Sequence, residues 1–485
     1  GLVLRVCAAA AYRPALVYID TVRYLGGDQH GLDPLGYSYL LLRPVMLLGG
    51  GLTGVAAVQH SLGLAMGVAL YAAVIRYGVP NLLACLAAAP VLLDAYQVQA
   101  EQMIMPDVLF EALAIAALVL LLWAPVPRPG RLAAAAALLG MSATVRQVGE
   151  LLMVPLLGYV LAAAPGWRPR AVGAVTAVTV FALPVAGYMA LSAAVLGNGF
   201  RLSNMDDAYL YGRAAHAADC GALRIPGYER PLCPPPATAR SFGVDGLATD
   251  PVSPVFRYEP PPGIRRAAAI ARFDEAVLTQ QPLRVAGGIT ADAIKLFALT
   301  RNTAQGDTPV SRWQFQSAYP VYRAADRAVL SAQPRVARPL AVALRAYQLH
   351  GGYTPGPLLL AFFLSGTMAA FSIRRHRALA LGCLLATGLA VAAVFGADLY
   401  EFSWRYQLPA LVTLPVAGAL GATVAGRSLV TWWSGSRGRM IRCILTMLTP
   451  RSGQSPAASS TPTPGSGSAR TTSSAATGPA ERTPS

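Results

Sequence analysis

Long apolar segments separated by short polar gaps run through most of this chain. Several of them approach or exceed the roughly 17–25 residues that cross a bilayer. They predict membrane segments at residues 2–17, 52–75, 81–93, 104–123, 132–144, 148–164, 171–196, 357–373, 378–395 and 406–425. A shorter run, 38–48, predicts a re-entrant or interfacial helix that ends at Gly49-Gly50-Gly51. The pattern indicates an α-helical polytopic membrane protein with a bundle of about ten membrane helices.

Residues 197–353 differ from the rest because they lack long apolar runs and are rich in Pro, Asp, Arg and Tyr. A segment of this length predicts a small inserted domain rather than a loop, with helical patterns at 264–278 and 283–299. The remaining predicted parts are an N-terminal membrane bundle (1–196), C-terminal membrane helices (354–427), a basic interfacial segment (428–449) and a disordered cytoplasmic tail (450–485). The short apolar stretch before Tyr18 predicts that a first membrane helix begins upstream of Gly1.

Charge alternates between successive gaps. Four gaps contain arginine and no acid: they hold Arg76; Arg128 and Arg131; Arg168 and Arg170; and Arg374, Arg375 and Arg377. The other gaps hold Asp20, Asp28 and Asp33; Asp94, Glu101 and Asp107; Arg146 and Glu150; and Asp398, Glu401 and Arg405. Short cytoplasmic loops collect Arg and Lys, so the alternation orients the chain. It predicts that the acidic clusters and residues 197–353 lie outside a cell membrane.

Composition agrees with this topology. Of 485 residues, 54% are hydrophobic and only 13% are charged, with a mean hydropathy of +0.46. Ordinary soluble domains carry about 25% charged residues. The net charge of +16 does not indicate nucleic acid, because no basic stripe with interleaved aromatic residues is present. The expected partner is therefore the lipid bilayer.

Two cysteines, Cys220 and Cys233, lie together in the predicted outer segment. An oxidising exterior favours a disulfide between them, and two free thiols are the alternative. No Cys/His spacing indicates zinc.

Carboxylates near the membrane boundary are the first candidates for chemistry. Asp20 follows the first apolar segment, where a solvated helix-end anchor is the alternative reading. Asp107 and Glu111 are one helical turn apart; Asp107 follows Pro106, so it also suits helix capping, whereas Glu111 lies inside an apolar run. Glu101 and Asp94 are predicted to lie just outside the same bundle.

Two arginines are predicted at the same outer face. Arg146 and Arg405 suit bidentate phosphate binding, and a salt bridge to the nearby acids is an equal alternative. His30 is a weaker candidate. His60, on a membrane segment, is more often a hydrogen-bonded interior residue.

The order of these features resembles the GT-C superfamily of polyprenyl-phosphate-sugar glycosyltransferases, which includes protein O-mannosyltransferases and aminoarabinose transferases. The resemblance rests on Tyr18-Ile19-Asp20-Thr21 with Pro34-Leu35-Gly36-Tyr37, on Glu101 to Phe110, on Thr144-Val145-Arg146 and on Arg405-Tyr406-Gln407-Leu408-Pro409. The chain most resembles actinobacterial members. It departs from the protein mannosyltransferases in having a single acid at Asp20, where they have an Asp-Glu pair, and in its outer segment.

The resemblance implies a GT-C-like bundle and an inverting transfer of a sugar from a polyprenyl-phosphate carrier. Asp20 would be the general base for an acceptor hydroxyl, and Arg146 and Arg405 would stabilise the leaving phosphate. Acceptor or sugar hydroxyls, or a divalent cation (Mg or Mn), would be held by Glu101, Asp107, Glu111 and Asp94. Further candidates are His30, Tyr37 and Tyr406. The acceptor would be a cell-envelope glycan, lipid or protein.

Two other functions fit the same residues. A transporter or flippase of lipid-linked sugar would also use intramembrane Glu111 and arginines, although paired interrupted helices in two halves are not seen. A non-catalytic protein that binds cell-envelope glycan through its outer domain is the second alternative.

Overall fold

The computed structural model describes residues 1–26, 32–124, 128–197, 199–204, 206–320 and 334–448, without the side chains of 206–207 and 431–448. The chain divides into two units, residues 1–429 and 430–485. The described part of the second unit is the C-terminal end of the last helix. The predicted tail, 450–485, lies outside the described residues.

The N-terminal bundle follows the apolar pattern. Its helices are α1 (Leu2–Ala11), α2 (Thr21–Gly26), α3 (Arg43–Leu47), α4 (Gly51–Arg76), α5 (Asn81–Leu93), α6 (Ala95–Gln102), α7 (Asp107–Leu122), α8 (Pro129–Val145), α9 (Met153–Ala163) and α10 (Trp167–Leu191). A π-helical turn, Ser38–Leu42, precedes α3, a 3₁₀ turn, Gln147–Leu152, precedes α9, and a second π-helical turn, Ser192–Leu196, extends α10. The predicted interfacial helix ends as expected at glycines, since Gly49 and Gly51 have φ of 82° and 55°.

The segment after α10 is also helical. It contains α11 (Asp206–Ala217), α12 (Pro236–Thr249), α13 (Pro254–Arg257), α14 (Arg266–Gln280), α15 (Pro282–Ile294) and α16 (Arg338–Leu349), with 3₁₀ turns at Gly227–Leu232, Lys295–Phe297 and Val310–Trp313. Part of this segment has its own apolar core, around Tyr211, Leu247 and Phe273. Cys220 and Cys233 form a disulfide, the pair that the sequence analysis predicts.

The C-terminal membrane part contains α17 (Gly356–Ala370), α18 (Arg377–Tyr400), the 3₁₀ turn Trp404–Gln407 and α19 (Leu408–Leu448). A two-stranded antiparallel ribbon joins β1 (Tyr12–Arg13) to β2 (Arg335–Val336), with Tyr12 opposite Val336. Residues 197–353, called the outer segment after their predicted location, are therefore hydrogen-bonded to the chain directly after α1.

Within the described residues, four helical stretches are long and apolar enough to cross a membrane: Gly51–Arg76, Trp167–Leu196, Arg377–Tyr400 and Trp404–Val430. The bent pair α5 and α6 makes a fifth if it counts as one span. The protein is thus a helical membrane protein, but the predicted ten spans are not confirmed. The first helix is shorter than the predicted segment 2–17, because α1 ends at Ala11, where the chain becomes extended. The predicted segment 148–164 begins as a 3₁₀ turn rather than an α-helix.

Arginines of the acid-free gaps bind the C-terminal ends of helices. Arg76 donates to the carbonyl of Trp123 at 2.9 Å, after α7, and Arg377 donates to that of Ala163 at 2.8 Å, at the end of α9. Cations in these places satisfy the last carbonyls and favour the helix dipole. These helix ends lie away from the Asp107 end of α7, where the site is found.

Candidate functional site

A cavity of about 240 Å³ lies where several predicted outer gaps meet. Asp20, Arg146, Arg405 and Tyr406 all line it. These four residues come from the chain after α1, from the end of α8 and from the turn between α18 and α19. The outer segment completes the wall with Ser203, Tyr209, Asp245, Thr249, Thr308, Arg312 and Trp313. The structure therefore brings the predicted base and both predicted phosphate ligands to one cavity.

Asp20 is fixed by the chain around it. The backbone of Leu16 forms a parallel bridge with Met103, through hydrogen bonds to Gln102 and from Ile104. The Thr21 hydroxyl, fully buried, donates to the carbonyl of Ile104 at 2.9 Å and accepts from the Tyr18 amide. These bonds tie the first predicted outer loop to the second.

Two arginines contact the Asp20 carboxylate. Arg23 donates to Oδ1 at 2.8 Å, and Arg405 donates to Oδ2 at 3.2 Å. Burial raises the pKa of Asp20, but the charges of Arg23 and Arg405 outweigh it and hold the pKa below its ordinary value. Asp20 is therefore ionised at neutral pH and can accept a proton.

Arg146 and Arg405 both contact Asp107, the first residue of α7. Arg146 makes a short ion pair with Oδ1, and Arg405 Nε lies 3.6 Å from the same oxygen. The Tyr406 ring packs under both guanidinium groups, at 4.6 and 4.7 Å. Asp107 Oδ2 and Arg405 Nε are buried without a hydrogen-bond partner. Both arginines thus form salt bridges to nearby acids, which the sequence analysis gives as the alternative to phosphate binding. Both also line the cavity.

Glu101 lies in a different environment. It is fully buried in α6, 2.6 Å from Arg5 Nη2, and its other oxygen lies 2.9 Å from His60 Nδ1. The second His60 nitrogen contacts Gln102 Oε1 at 2.8 Å, so His60 is the hydrogen-bonded interior residue that the sequence analysis expects. Glu101 does not line the cavity. Glu101 thus belongs to a buried network that joins α1, α4 and α6, and its role in positioning the acceptor or sugar stays a prediction.

Four more predicted residues lie outside the cavity lining: Asp94, Asp107, Glu111 and Tyr37. Asp94 caps α6 by accepting from the Tyr96 amide at 2.9 Å, and it also accepts from the Thr354 amide at 2.6 Å. Glu111 accepts from the Gln97 side chain at 2.8 Å inside the bundle. Tyr37 donates to Gln59 Oε1 at 2.8 Å. The site roles predicted for these residues stay predictions. His30, like Asp28, lies outside the described residues.

The cavity contains residues that the sequence analysis does not single out. Arg23 holds Asp20 and also Asp33, at 2.5 Å. Arg312 donates to the Tyr18 hydroxyl at 3.0 Å, and the Trp313 ring packs on Tyr18 at 4.9 Å. Glu401 and Asp33 have a sequence signal, because both lie in predicted acidic gaps. Arg23 is three residues after Asp20, whereas Arg312 and Trp313 reach the cavity only because residues 197–353 fold against the membrane helices.

Among the described residues, no group of three or more His, Cys, Asp or Glu side chains is arranged to hold a metal ion. The acids at the cavity are compensated by arginines instead, as the contacts of Asp20 and Asp107 illustrate. The donor set of the described residues therefore does not fit a Mg or Mn site.

The chain matches no protein-family model and no curated protein. Among solved structures it is similar to ArnT from Cupriavidus metallidurans in the apo state, with 15% identity and a TM-score of 0.31, over 87% of this chain and 76% of that one. The structure of the same protein bound to undecaprenyl phosphate gives 17% identity and a TM-score of 0.33, over 88% and 77%. Likeness at this level does not show a shared family.

Proposed function

We propose that this protein is an integral membrane glycosyltransferase that moves a sugar from a polyprenyl-phosphate carrier to an acceptor hydroxyl on the outer side of the membrane. The observation that carries the proposal is the cavity itself. It combines one ionised carboxylate, Asp20, with arginines whose charge suits a phosphate. A general base beside an anion-binding group is what this transfer requires.

Asp20 acts as the general base. It takes the proton of the acceptor hydroxyl as that oxygen attacks the anomeric carbon, and the bond from this carbon to the phosphate oxygen breaks on the opposite face. The configuration inverts in such a displacement. Thr21 and the Leu16–Met103 bridge stabilise the position of the carboxylate during the reaction.

Arg405 and Arg146 bind the phosphate. Their guanidinium groups contact Asp20 and Asp107, and the planar guanidinium group suits bidentate contacts to a phosphate. When Arg405 turns to the phosphate, Asp20 loses one of the three cations that lower its pKa, while Arg23 stays. Donor binding therefore raises the pKa of Asp20 and makes it a stronger base when the acceptor arrives.

The first test uses Asp20→Asn with a radiolabelled monosaccharide on polyprenyl phosphate as donor. Loss of a general base lowers kcat by about 10²–10⁴-fold. Asp219→Asn, an isosteric change at an exposed residue outside the cavity lining, is the matched control and should transfer normally. Unchanged transfer by Asp20→Asn would refute the assignment. Movement of lipid-linked sugar across liposomes with no transfer would instead support the transporter.

The second test measures binding of undecaprenyl phosphate and of the corresponding alcohol, which lacks the phosphate. Arg405→Gln and Arg146→Gln should each weaken binding of the phosphate and leave binding of the alcohol unchanged. A pH profile adds an independent readout. The acid limb of kcat should lie at higher pH than that of kcat/KM, because kcat reports Asp20 with donor bound and kcat/KM reports the free enzyme. Coincident limbs would contradict the proposed exchange of Arg405.

A further inference from the structure

A second, smaller cavity adjoins the one that contains Asp20. Its volume is about 90 Å³, and it lies among α11, α12, α15 and the turn after α18. Asp245 and Glu401 line both cavities. A ligand in the second cavity would therefore contact the same two carboxyl groups as a ligand in the first.

Glu401 is the feature that indicates a ligand. Its side chain is only 8% exposed, and its Oε2 is buried without a hydrogen-bond partner. Leaving a buried carboxyl oxygen unpaired is costly, so such a group in a cavity wall is expected to meet a donor from a bound molecule. Asp245 is oriented by the Tyr209 hydroxyl, which donates to its Oδ1 at 3.1 Å.

The charges around the second cavity restrict that molecule. The cation in its wall is Lys295, and this ammonium is held by Asp292 and Asp307, each at 2.9 Å, and by the Phe402 ring at 4.2 Å. Its charge is therefore already compensated. Asp292 and Asp307 are occupied by Lys295, so Asp245 and Glu401 remain as the acidic acceptors of the wall, which disfavours an anion and favours a donor.

We propose that the second cavity is the acceptor subsite, and that it binds a neutral carbohydrate through hydroxyl groups that donate to Glu401 and Asp245. This inference rests on the proposed glycosyl transfer. Carbohydrate hydroxyls supply the donor that Glu401 Oε2 lacks and add no charge. A cavity needs roughly 10–15 Å³ to admit one water, so this one has room for several hydroxyl groups. A sugar bound here would extend into the main cavity towards Asp20.

The ionisation of Glu401 agrees with this assignment. Burial, followed by the charge of Asp245, raises the pKa of Glu401 to about 8. At neutral pH the group is therefore protonated, and it can both donate to and accept from a sugar hydroxyl. The charged or titratable groups that face it are Asp20, Asp245, Arg405 and Tyr406 on the main cavity, and His216, Asp292, Lys295 and Asp307 on the second.

The test measures binding of lactose, maltose and mannobiose to the full chain in nanodiscs by saturation-transfer NMR, with sialyllactose as an anionic comparison. Wild-type protein should bind at least one neutral disaccharide more tightly than sialyllactose. Glu401→Ala should weaken that binding about tenfold, the effect of losing one strong hydrogen bond. Glu401→Gln should retain it at pH 7, because an amide still donates and accepts. Glu275→Gln, on the exposed face of α14, is the control and should bind normally.

The pH dependence separates this role from a structural one. Wild-type affinity should rise above about pH 8, because ionised Glu401 accepts stronger hydrogen bonds from the sugar hydroxyls, whereas Glu401→Gln should lack this change. Asp245→Asn should move the midpoint to lower pH, because it removes a charge that raises the pKa. The proposal is overturned if no neutral disaccharide binds, if Glu401→Ala binds normally, or if sialyllactose is preferred. Undecaprenyl phosphate binding in the same variants reports on the donor site alone, so failure of the transferase proposal appears separately.

Discussion

Gly63→Ala tests whether Glu101 is structural. Gly63 lies on α4 against the ion pair of Arg5 and Glu101. A methyl group there would be 2.0 Å from Glu101 Oε1 and 2.7 Å from Arg5 Nη2. Ordinary contact begins at 3.4 Å, so the carboxylate must retreat by about 1.4 Å. Arg5 cannot follow freely, because its guanidinium also donates to the carbonyls of Val91 and Leu92 at 3.0 Å.

The cost follows from the burial of the pair. Arg5 and Glu101 are 2% and 0% exposed, and separating a buried ion pair costs about 3–5 kcal/mol. Alanine is favoured over glycine in a helix by about 1 kcal/mol, which offsets part of this. The expected net loss in free energy of unfolding is about 2–4 kcal/mol.

Measured by thermal unfolding in detergent, the Tm of Gly63→Ala should be roughly 2–4 °C lower than that of wild type, since a chain of this length has an unfolding entropy of about 1 kcal/mol/K. At temperatures where the variant is folded, undecaprenyl phosphate affinity should match wild type, because Glu101 does not line the cavity. Gly187→Ala on α10, where an added methyl group meets nothing within 4 Å, is the control and should unfold no earlier than wild type. An unchanged Tm in Gly63→Ala, or a normal Tm with lost binding, would refute the assignment of Glu101 to a structural network.

Three further changes probe how the site is held. Cys220→Ser should cost about 3 kcal/mol, the value for a loop of roughly 15 residues, and dithiothreitol should lower the wild-type Tm but not that of the variant. Thr21→Val should lower the free energy of unfolding by about 1–3 kcal/mol, because the buried Ile104 carbonyl loses its donor. It should also lower kcat without affecting undecaprenyl phosphate binding, because the loop that positions Asp20 is held less firmly. Equal activity in Thr21→Val and wild type would contradict this role. Asp94→Ala should lower the free energy of unfolding by about 1 kcal/mol or more, because α6 loses its N-cap. A change in sugar transfer by the folded variant would support a role of Asp94 in the site.

The long apolar helices were predictable because their pattern is local. The runs 52–75 and 81–93 match α4 and α5 to within one residue at each end. Helix α6 is absent from the prediction because Ala95–Gln102 is mostly polar, and its burial comes from contacts with α1 and α4 that no local pattern reveals. The outer segment was harder still, since only α14 and α15 have a visible periodicity.

The sequence predicted those features of the site that depend only on the side of the membrane to which each gap is assigned. Asp20, Asp107, Arg146 and Arg405 meet because successive helix ends return to one side of the bundle. Sidedness cannot tell which way a side chain points within a gap. Glu101 shares its gap with Asp107, yet α6 turns it into the bundle towards Arg5, whereas Asp107 at the start of α7 points to the arginines. The sequence also could not show whether an arginine pairs with an acid or with a phosphate, because both groups accept the same bidentate hydrogen bonds.

The arginines of the main cavity have two kinds of partner, the acids that contact them and the phosphate that they are proposed to bind. The total charge of the cavity relates these two partners. Its wall contains four arginines, Arg23, Arg146, Arg312 and Arg405, against three aspartates, Asp20, Asp33 and Asp245, with Glu401 neutral at pH 7. Asp107, which pairs with Arg146 and Arg405, balances the one excess positive charge of this wall. As the sugar leaves, the phosphate gains a second negative charge, and Asp20 loses one by taking the acceptor proton. The net charge in the cavity then stays constant through the proposed reaction, which limits the electrostatic cost of separating charge in a partly buried site.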